Sequence, residues 1–349
     1  MKITAESLTT LTRNVFLAAG CEQAEADCVA DHLVKANLSG HDSHGVIRIA
    51  RYLPWLRKGL VLANQKVKVV IENDAMAMLD GCSGMGQAIG TQAVRMGIEK
   101  SDRSGVSVVA LGKVGHLGRI GHWAEMAADA GRVSVHFVNT TGLGGVVAPF
   151  GGMDRRLSVN PIAAGVPVAG ADPVILDIST TKVAEGKIIL ARTRGEALPA
   201  DCIIDGEGRP STDPNVFYDD PGAMLPFGGH KGYGLGIIAD LLAGALTVGG
   251  CTNPANNVQL HNGMLSIYID PRLFGDESFR NGEIRRFIDY VKSSRTIRED
   301  GQVLMPGELE ALNRKKLLRD GIELDGSTCE LISEACESLE VDTSLLRTD

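Results

Sequence analysis

From residue 5 to residue 38, apolar residues return at every third or fourth position, first over Ala5 to Ala19 and again over Glu22 to Leu38. Each stretch predicts a helix with one buried face. A third helix is expected to begin inside Gly40-His41-Asp42-Ser43-His44-Gly45-Val46-Ile47-Arg48-Ile49-Ala50-Arg51-Tyr52, capped by Asp42 or Ser43. The period changes at Lys66. From there to Asp80 the residues alternate and are rich in β-branched side chains, as in Val67-Lys68-Val69-Val70-Ile71-Glu72, which is a strand pattern. Further on, strands expected at Val106 to Leu111, Val133 to Val138 and Val174 to Asp177 are interleaved with helices at Trp123 to Ala130, Thr181 to Ala191 and Gly234 to Val248. A strand at Met264 to Ile269, a polar helix around Ser278 to Val291 and two more helices leading to an acidic tail complete the order. Asp205 to Asn215 and Gly249 to Asn262, rich in Asn, Pro and Gly, read as irregular loops. An all-helical N-terminal portion followed by mixed elements predicts an α/β core.

Composition narrows the function classes. The 349 residues are 44% hydrophobic and 4% aromatic, enough for a substantial core in two or three lobes, and hold no apolar run that would span a bilayer. The opening Met1-Lys2-Ile3-Thr4-Ala5-Glu6 leads into an amphipathic helix rather than a signal peptide, so the expected location is cytoplasmic with no membrane partner. A net charge of −8 disfavours nucleic acid. The seven cysteines are scattered and never spaced as C-x-x-C, which fits reduced thiols, and neither they nor the eight histidines show metal-ligand spacing. No metal is expected.

Candidate chemistry starts at His44, Arg48 and Tyr52, four residues apart, which would share one face of a helix. A solvated polar face would show the same spacing. The functional alternative is an acid/base group beside a fixed cation and a phenol, which suits a small carboxylate substrate. Gly84-x-Gly86-x-x-x-Gly90 follows a strand and opens a helix as a dinucleotide loop does. Tight strand-to-helix packing explains those glycines equally well, and the acidic residue expected after the second strand is missing.

Three other clusters carry polar groups on glycine-rich or strand-end backbone. Gly112-Lys113-Val114-Gly115-His116-Leu117-Gly118-Arg119-Ile120-Gly121-His122 is either an anion-holding turn with His116 facing a ligand or a plain connector. Leu225 to Gly236 presents His230 and Lys231 among glycines, as phosphate contacts often are, without P-loop spacing. Val174-Ile175-Leu176-Asp177-Ile178-Ser179-Thr180-Thr181 ends a strand in Asp and hydroxyls, equally a helix cap or a site.

Taken together, Asp42-Ser43-His44-Gly45 with Arg48, Gly115-His116-Leu117-Gly118-Arg119, Val147-Ala148-Pro149-Phe150-Gly151-Gly152, Asn160-Pro161-Ile162-Ala163, Leu176-Asp177-Ile178-Ser179, Gly229-His230-Lys231-Gly232-Tyr233-Gly234 and Met305-Pro306-Gly307-Glu308 resemble the malate/L-lactate dehydrogenase family. That family also contains ureidoglycolate, sulfolactate and diketogulonate oxidoreductases and cyclic-imine-2-carboxylate reductases, and the resemblance runs from about residue 2 to 340. It implies an α/β fold that is not a Rossmann domain: a mixed-sheet NAD(P)-binding domain at 76–280, and a helical N-terminal domain at 1–75 joined by C-terminal helices from 280–349. It further implies NAD(P)-dependent hydride transfer between a small 2-hydroxy acid and its 2-oxo acid, in a homodimer with the active site near the interface.

By the same resemblance His44 is the candidate proton donor, Ser43 its hydrogen-bond partner and Arg48 the carboxylate clamp. His116 is a second acid/base candidate, and Arg48, Tyr52 and His116 contact substrate. Cofactor contacts are implied at His116, Leu117, Gly118, Arg119, Ile120, Asn160, Asp177, Ile178, Ser179, His230, Lys231, Met305, Pro306, Gly307 and Glu308. The rival activity is reduction of a cyclic imine 2-carboxylate, piperideine or pyrroline. Imine-reducing relatives tend to carry an acid after an Ala-x-Gly step where this chain has Ala184-Glu185-Gly186-Lys187, which counts against it. A binding protein that kept the fold would lack a catalytic residue, and none is missing.

Overall fold

The computed structural model describes residues 2–142, 145–253, 255 and 260–346, so parts of the expected loop at Gly249 to Asn262 and the end of the acidic tail lie outside the described residues. In chain order come β1 (Lys2–Ile3), α1 (Ala5–Ala18), α2 (Gln23–Leu38), α3 (Ile49–Arg57), β2 (Lys68–Glu72), β3 (Met76–Asp80), α4 (Gly86–Ser104), β4 (Val106–Val114), α5 (Gly121–Asp129), β5 (Val133–Thr140), β6 (Ile162–Val166) and β7 (Val174–Ile178). There follow α6 (Glu185–Arg194), β8 (Ile203–Ile204), β9 (Pro210–Ser211), β10 (Ala223–Met224), α7 (His230–Asp240), β11 (Asn262–Ile269), α8 (Glu277–Lys292), α9 (Glu308–Asp320), β12 (Ile322–Glu323) and α10 (Gly326–Glu337).

The first two helices form where the 3.6-residue period placed them. Thr4 caps α1 by accepting from the Ser7 amide, and Leu8, Leu11, Val15 and Phe16 line its buried stripe. That stripe joins a core built from both ends of the chain, since Ile322, Leu324, Ile332, Cys336 and Leu346 pack in the same cluster as α1 and α2. The antiparallel pairing of β1 with β12 closes it.

Seven strands form the main sheet in the order β2-β3-β4-β11-β5-β6-β7. Only β3 and β4 run parallel, and every other neighbouring pair is antiparallel. A Rossmann domain needs a parallel sheet of another order, so this mixed sheet is the non-Rossmann architecture that the motifs implied. Its central strand, β11, comes from late in the chain and reads as an almost continuous apolar run because both of its faces are covered. Helix α4 can lie close over it because Gly97 has no side chain: a Cβ there would stand 2.1 Å from the Tyr268 ring.

The glycines once compared with a dinucleotide loop serve the same end. A Cβ at Gly86 would lie 2.0 Å from the carbonyl oxygen of His116, and one at Gly90 would lie 2.6 Å from the Trp123 ring. They let α4 approach the His116 turn and α5. Two other expectations need correction. The expected helix over Gly234 to Val248 is instead α7 starting at His230 and widening into a π-helical segment over Leu241–Ala245, and the one expected from Thr181 begins only at Glu185. The stretch Asp205 to Asn215 contains β9, part of a small three-stranded sheet with β8 and β10. Among the described residues no helix is long and apolar enough to cross a membrane.

Candidate active site

The segment carrying His44 is not the start of a continuous helix. Asp42–His44 and Val46–Arg48 are separate 3-10 turns, and Gly45 between them is extended at φ −86°, ψ −154°, before α3 begins at Ile49. The break is held by Asn37, whose Nδ2 donates to Asp42 Oδ1 at 2.7 Å and whose Oδ1 accepts from the Val46 amide at 2.9 Å. Asp42 is thereby taken up by α2 instead of capping α3, whose start has no side-chain cap. Gly45 is required at this point because a Cβ would collide with the Asn37 side chain at 2.2 Å.

The broken backbone still gathers the expected residues. The rings of His44 and His116 stack, with centroids 5.7 Å apart and planes 18° from parallel. Ser43 Oγ lies 3.1 Å from His44 Nδ1, and Arg48 Nε donates to the Ser43 carbonyl at 2.5 Å. Tyr52, buried on α3, places its hydroxyl 2.7 Å from His116 Nδ1. The Nε2 atoms of both histidines make no hydrogen bond among the described residues and are absent from the sealed polar atoms, so both are open to a ligand. Gln87, which sequence reasoning missed, donates from Nε2 to the Tyr52 oxygen at 3.1 Å and to the His116 carbonyl at 3.2 Å. The signal for it was the adjacent Gly86, which marks where a helix end meets the His116 turn.

Electrostatics set the resting state. Burial, then the Arg48 charge, pushes His44 down to about 3. Burial followed by the same Arg48 holds His116 well below the ordinary histidine range, and burial raises the Tyr52 phenol to about 12. Both rings are therefore neutral near pH 7. Arg48 itself takes part in no ion pair among the described residues, although the Glu185 charge acts on it from beyond ion-pair distance. A small anion would supply that pair.

The implied cofactor segments fall into two groups. His116 to Ile120 meets the end of β7: Arg119, almost fully buried, pairs with Glu125 and lies 3.8 Å from Asp177 Oδ2, and its Nε and Nη1 have no hydrogen-bond partner. The Leu117 amide donates to Asn262 Oδ1 at 2.8 Å, and Gly118, at φ +73°, is pressed against His32. The loop Met305 to Glu308 lies against the same strand, with Ile175 N donating to the Pro306 carbonyl at 2.9 Å and Gly307 at φ +91° beside Ile175. Ile178 and Ser179 follow, the latter bonded to Thr181 Oγ1 at 3.0 Å. In the second group His230 and Lys231 are exposed at the start of α7, reached through Gly228 and Gly229 at φ +57° and +61°, and Thr180 joins this turn to the end of β7 through the amide of Phe227 at 3.0 Å. Asn160 stands apart, its Nδ2 donating to the Gly236 carbonyl at 2.9 Å and to buried Asp240 at 3.3 Å. No described hydrogen bond joins His230 or Lys231 to the histidine pair.

These residues fit a nicotinamide dinucleotide in chemistry. Lys231 is an exposed cation outside every ion pair described, the Gly228-Gly229 backbone lies in the positive-φ region that favours glycine, and the orphan Oε1 of Gln87 lies on the side chain that reaches His116.

Comparison with known proteins agrees. The family model described as malate/L-lactate dehydrogenase matches residues 3–333. The chain is 39% identical over 341 residues to hydroxycarboxylate dehydrogenase B of Escherichia coli (strain K12), covering 96% of this chain and 93% of that protein. Among solved structures, the sulfolactate dehydrogenase of Methanocaldococcus jannaschii superposes with a TM-score of 0.86 at 32% identity, over 98% of both chains. The delta1-piperideine-2-carboxylate reductase of Pseudomonas syringae superposes with a TM-score of 0.83 at 30% identity, over 96% of this chain and 99% of that one.

Proposed function

This chain belongs to the malate/L-lactate dehydrogenase family, and from that membership we propose that it interconverts a small 2-hydroxy acid of malate or lactate type with its 2-oxo acid, using NAD or NADP. The observation that carries this reading is Arg48, a partly buried cation in no ion pair among the described residues, set beside two open histidines. Arg48 clamps the substrate carboxylate and so orients the carbonyl toward the rings. The same clamp changes His44. Burial is the first cause of its depressed pKa and the Arg48 charge the second, so a carboxylate laid on Arg48 offsets that second cause and makes it easier for His44 to hold the proton that it gives to the substrate oxygen.

A bound nicotinamide supplies or accepts the hydride. Asp177 to Ser179, His116 to Ile120 and the Met305 to Glu308 loop would hold one end of the cofactor, and His230 and Lys231 its phosphates. The residue type after Gly186 favours the oxo-acid reading over the cyclic imine; Gly186 itself lies in the first turn of α6 and packs on Ser43 so closely that a Cβ would lie 2.7 Å from it. The next residue is the exposed Lys187, basic where imine-reducing relatives tend to carry an acid.

The partner is a second copy of this chain. Helix α8 buries none of its residues, Phe279 and Tyr290 on it are 72% and 70% exposed, and exposed Leu246 lines a shallow apolar hollow of about 440 Å³ over β3 and β4. Apolar surface on this scale calls for a protein to cover it. All seven cysteines are free thiols, which suits a reducing cytoplasm, and the net charge of −8 suits no nucleic acid.

Steady-state kinetics test the roles. Arg48→Ala raises KM for the 2-oxo acid about 100-fold through loss of a charge-assisted pair, and His44→Ala lowers kcat by about 100-fold or more. Wild-type activity in His44→Ala would contradict the assignment.

A further inference from the structure

The amide of Gln87 is buried, and its Nε2 lies within hydrogen-bond reach of both the Tyr52 hydroxyl and the His116 carbonyl, at 3.1 and 3.2 Å. A backbone carbonyl only accepts, so the end of the amide that faces it is the NH2 group and the reverse orientation is excluded. The second N–H of that group therefore donates to the Tyr52 oxygen. At 2.7 Å from that oxygen, His116 Nδ1 shares one proton with it, and either the phenol or the imidazole carries that proton. If the imidazole carried it, the phenol hydrogen would need another acceptor, and none is described. The space beside the three groups is about 10 Å³, at the lower limit for one water, and its other walls are Trp55, Val61, Met85 and Gly86, none of which offers the phenol a side-chain oxygen or nitrogen acceptor. The phenol hydrogen thus points at Nδ1, and the neutral ring keeps its own proton on Nε2. Ser43, by contrast, can donate to or accept from His44 Nδ1 and imposes no tautomer.

We propose that Gln87, acting through Tyr52, locks His116 in the tautomer protonated on Nε2, so that His116 meets the substrate oxygen as a fixed hydrogen-bond donor while His44 exchanges the proton. Gln87 and Tyr52 are positioning residues in this scheme. The role at the substrate rests on the oxidoreductase reading above, whereas the tautomer does not.

Ring-nitrogen NMR of the unliganded protein labelled with ¹⁵N-histidine tests it, with the His116 signals assigned by their loss in His116→Asn. The expected spectrum near pH 7 shows Nδ1 unprotonated and Nε2 protonated. Gln87→Glu places a carboxylate that accepts from the phenol, so the His116 proton moves to Nδ1, and kcat for 2-oxo-acid reduction falls about 100-fold, as when a preorganised donor is lost, with KM for the nicotinamide cofactor unchanged. Tyr52→Phe is the second variant and leaves His116 with a mixture of tautomers. A wild-type ring protonated on Nδ1, or a His116 tautomer that is the same in wild type and in Gln87→Glu, overturns the proposal. A wild-type protein with the expected spectrum that reduces no 2-oxo acid refutes the oxidoreductase reading instead.

Discussion

At the scale of residues, the site depends on charges that are left incomplete in one place and completed in another. Arg48 is left for the substrate, whereas Arg119, equally cationic, is spent on Glu125 and Asp177 inside the protein. Replacing it by Met leaves shielded Asp177 without its cation, while Glu125 keeps Arg314, so Arg119→Met is expected to cost about 3 kcal/mol in urea unfolding, and a loss under about 1 kcal/mol would show that the carboxylate is already solvated. His44, Arg48 and His116 were legible in the sequence because their side-chain types are rare next to glycines and point to one chemistry. Gln87 was not. A glutamine in a helix has no signature of its own, and its meaning comes from the approach of a turn about thirty residues further along the chain.

At the scale of elements, periodicity located most helices and strands but mistook the segment carrying His44. The four-residue spacing of His44, Arg48 and Tyr52 suggested one helical face, yet Asn37 breaks the backbone at Gly45, and the three residues converge through turns. Spacing cannot reveal such a break, because the hydrogen bonds that cause it come from another helix. The glycines of α4 were ambiguous for a related reason: a phosphate loop and a close helix approach both require the same missing Cβ. The structure decides for packing, which gives a prediction. In Gly86→Ala the new methyl meets the fixed carbonyl of His116, so the turn must shift, and kcat/KM is expected to fall about 100-fold with circular dichroism unchanged. Activity within about twofold of wild type would mean that the turn yields freely.

At the scale of the whole molecule, the order of strands could not be read from the sequence, since nothing local says that β11 will enter between β4 and β5. The buried histidines also act at this scale. His32 and His136 are sealed in the folded chain and held neutral chiefly by desolvation, His136 down to about 3, whereas in the unfolded chain each takes up a proton near pH 6.5. Below that pH the unfolded state binds more protons, so stability is complete above about 6.5 and drains as pH falls toward the folded values, by about 1.4 kcal/mol per pH unit for each histidine. The raised carboxyls of Glu25 and Asp177 offset part of this loss. Urea midpoints should decline between pH 6.5 and 5.0, and a flat profile would contradict it. Sedimentation should give a dimer of the 37.0 kDa chain, and a monomer at micromolar concentration would leave the apolar surface of α8 without its proposed cover.

The central claim is tested most directly by following nicotinamide absorbance while the purified protein is offered NADH, then NADPH, with a panel of 2-oxo acids and one cyclic imine carboxylate. The account predicts rapid oxidation of one reduced cofactor by a 2-oxo acid, with the imine slower. Oxidation by the imine alone, or none across the panel, would contradict it.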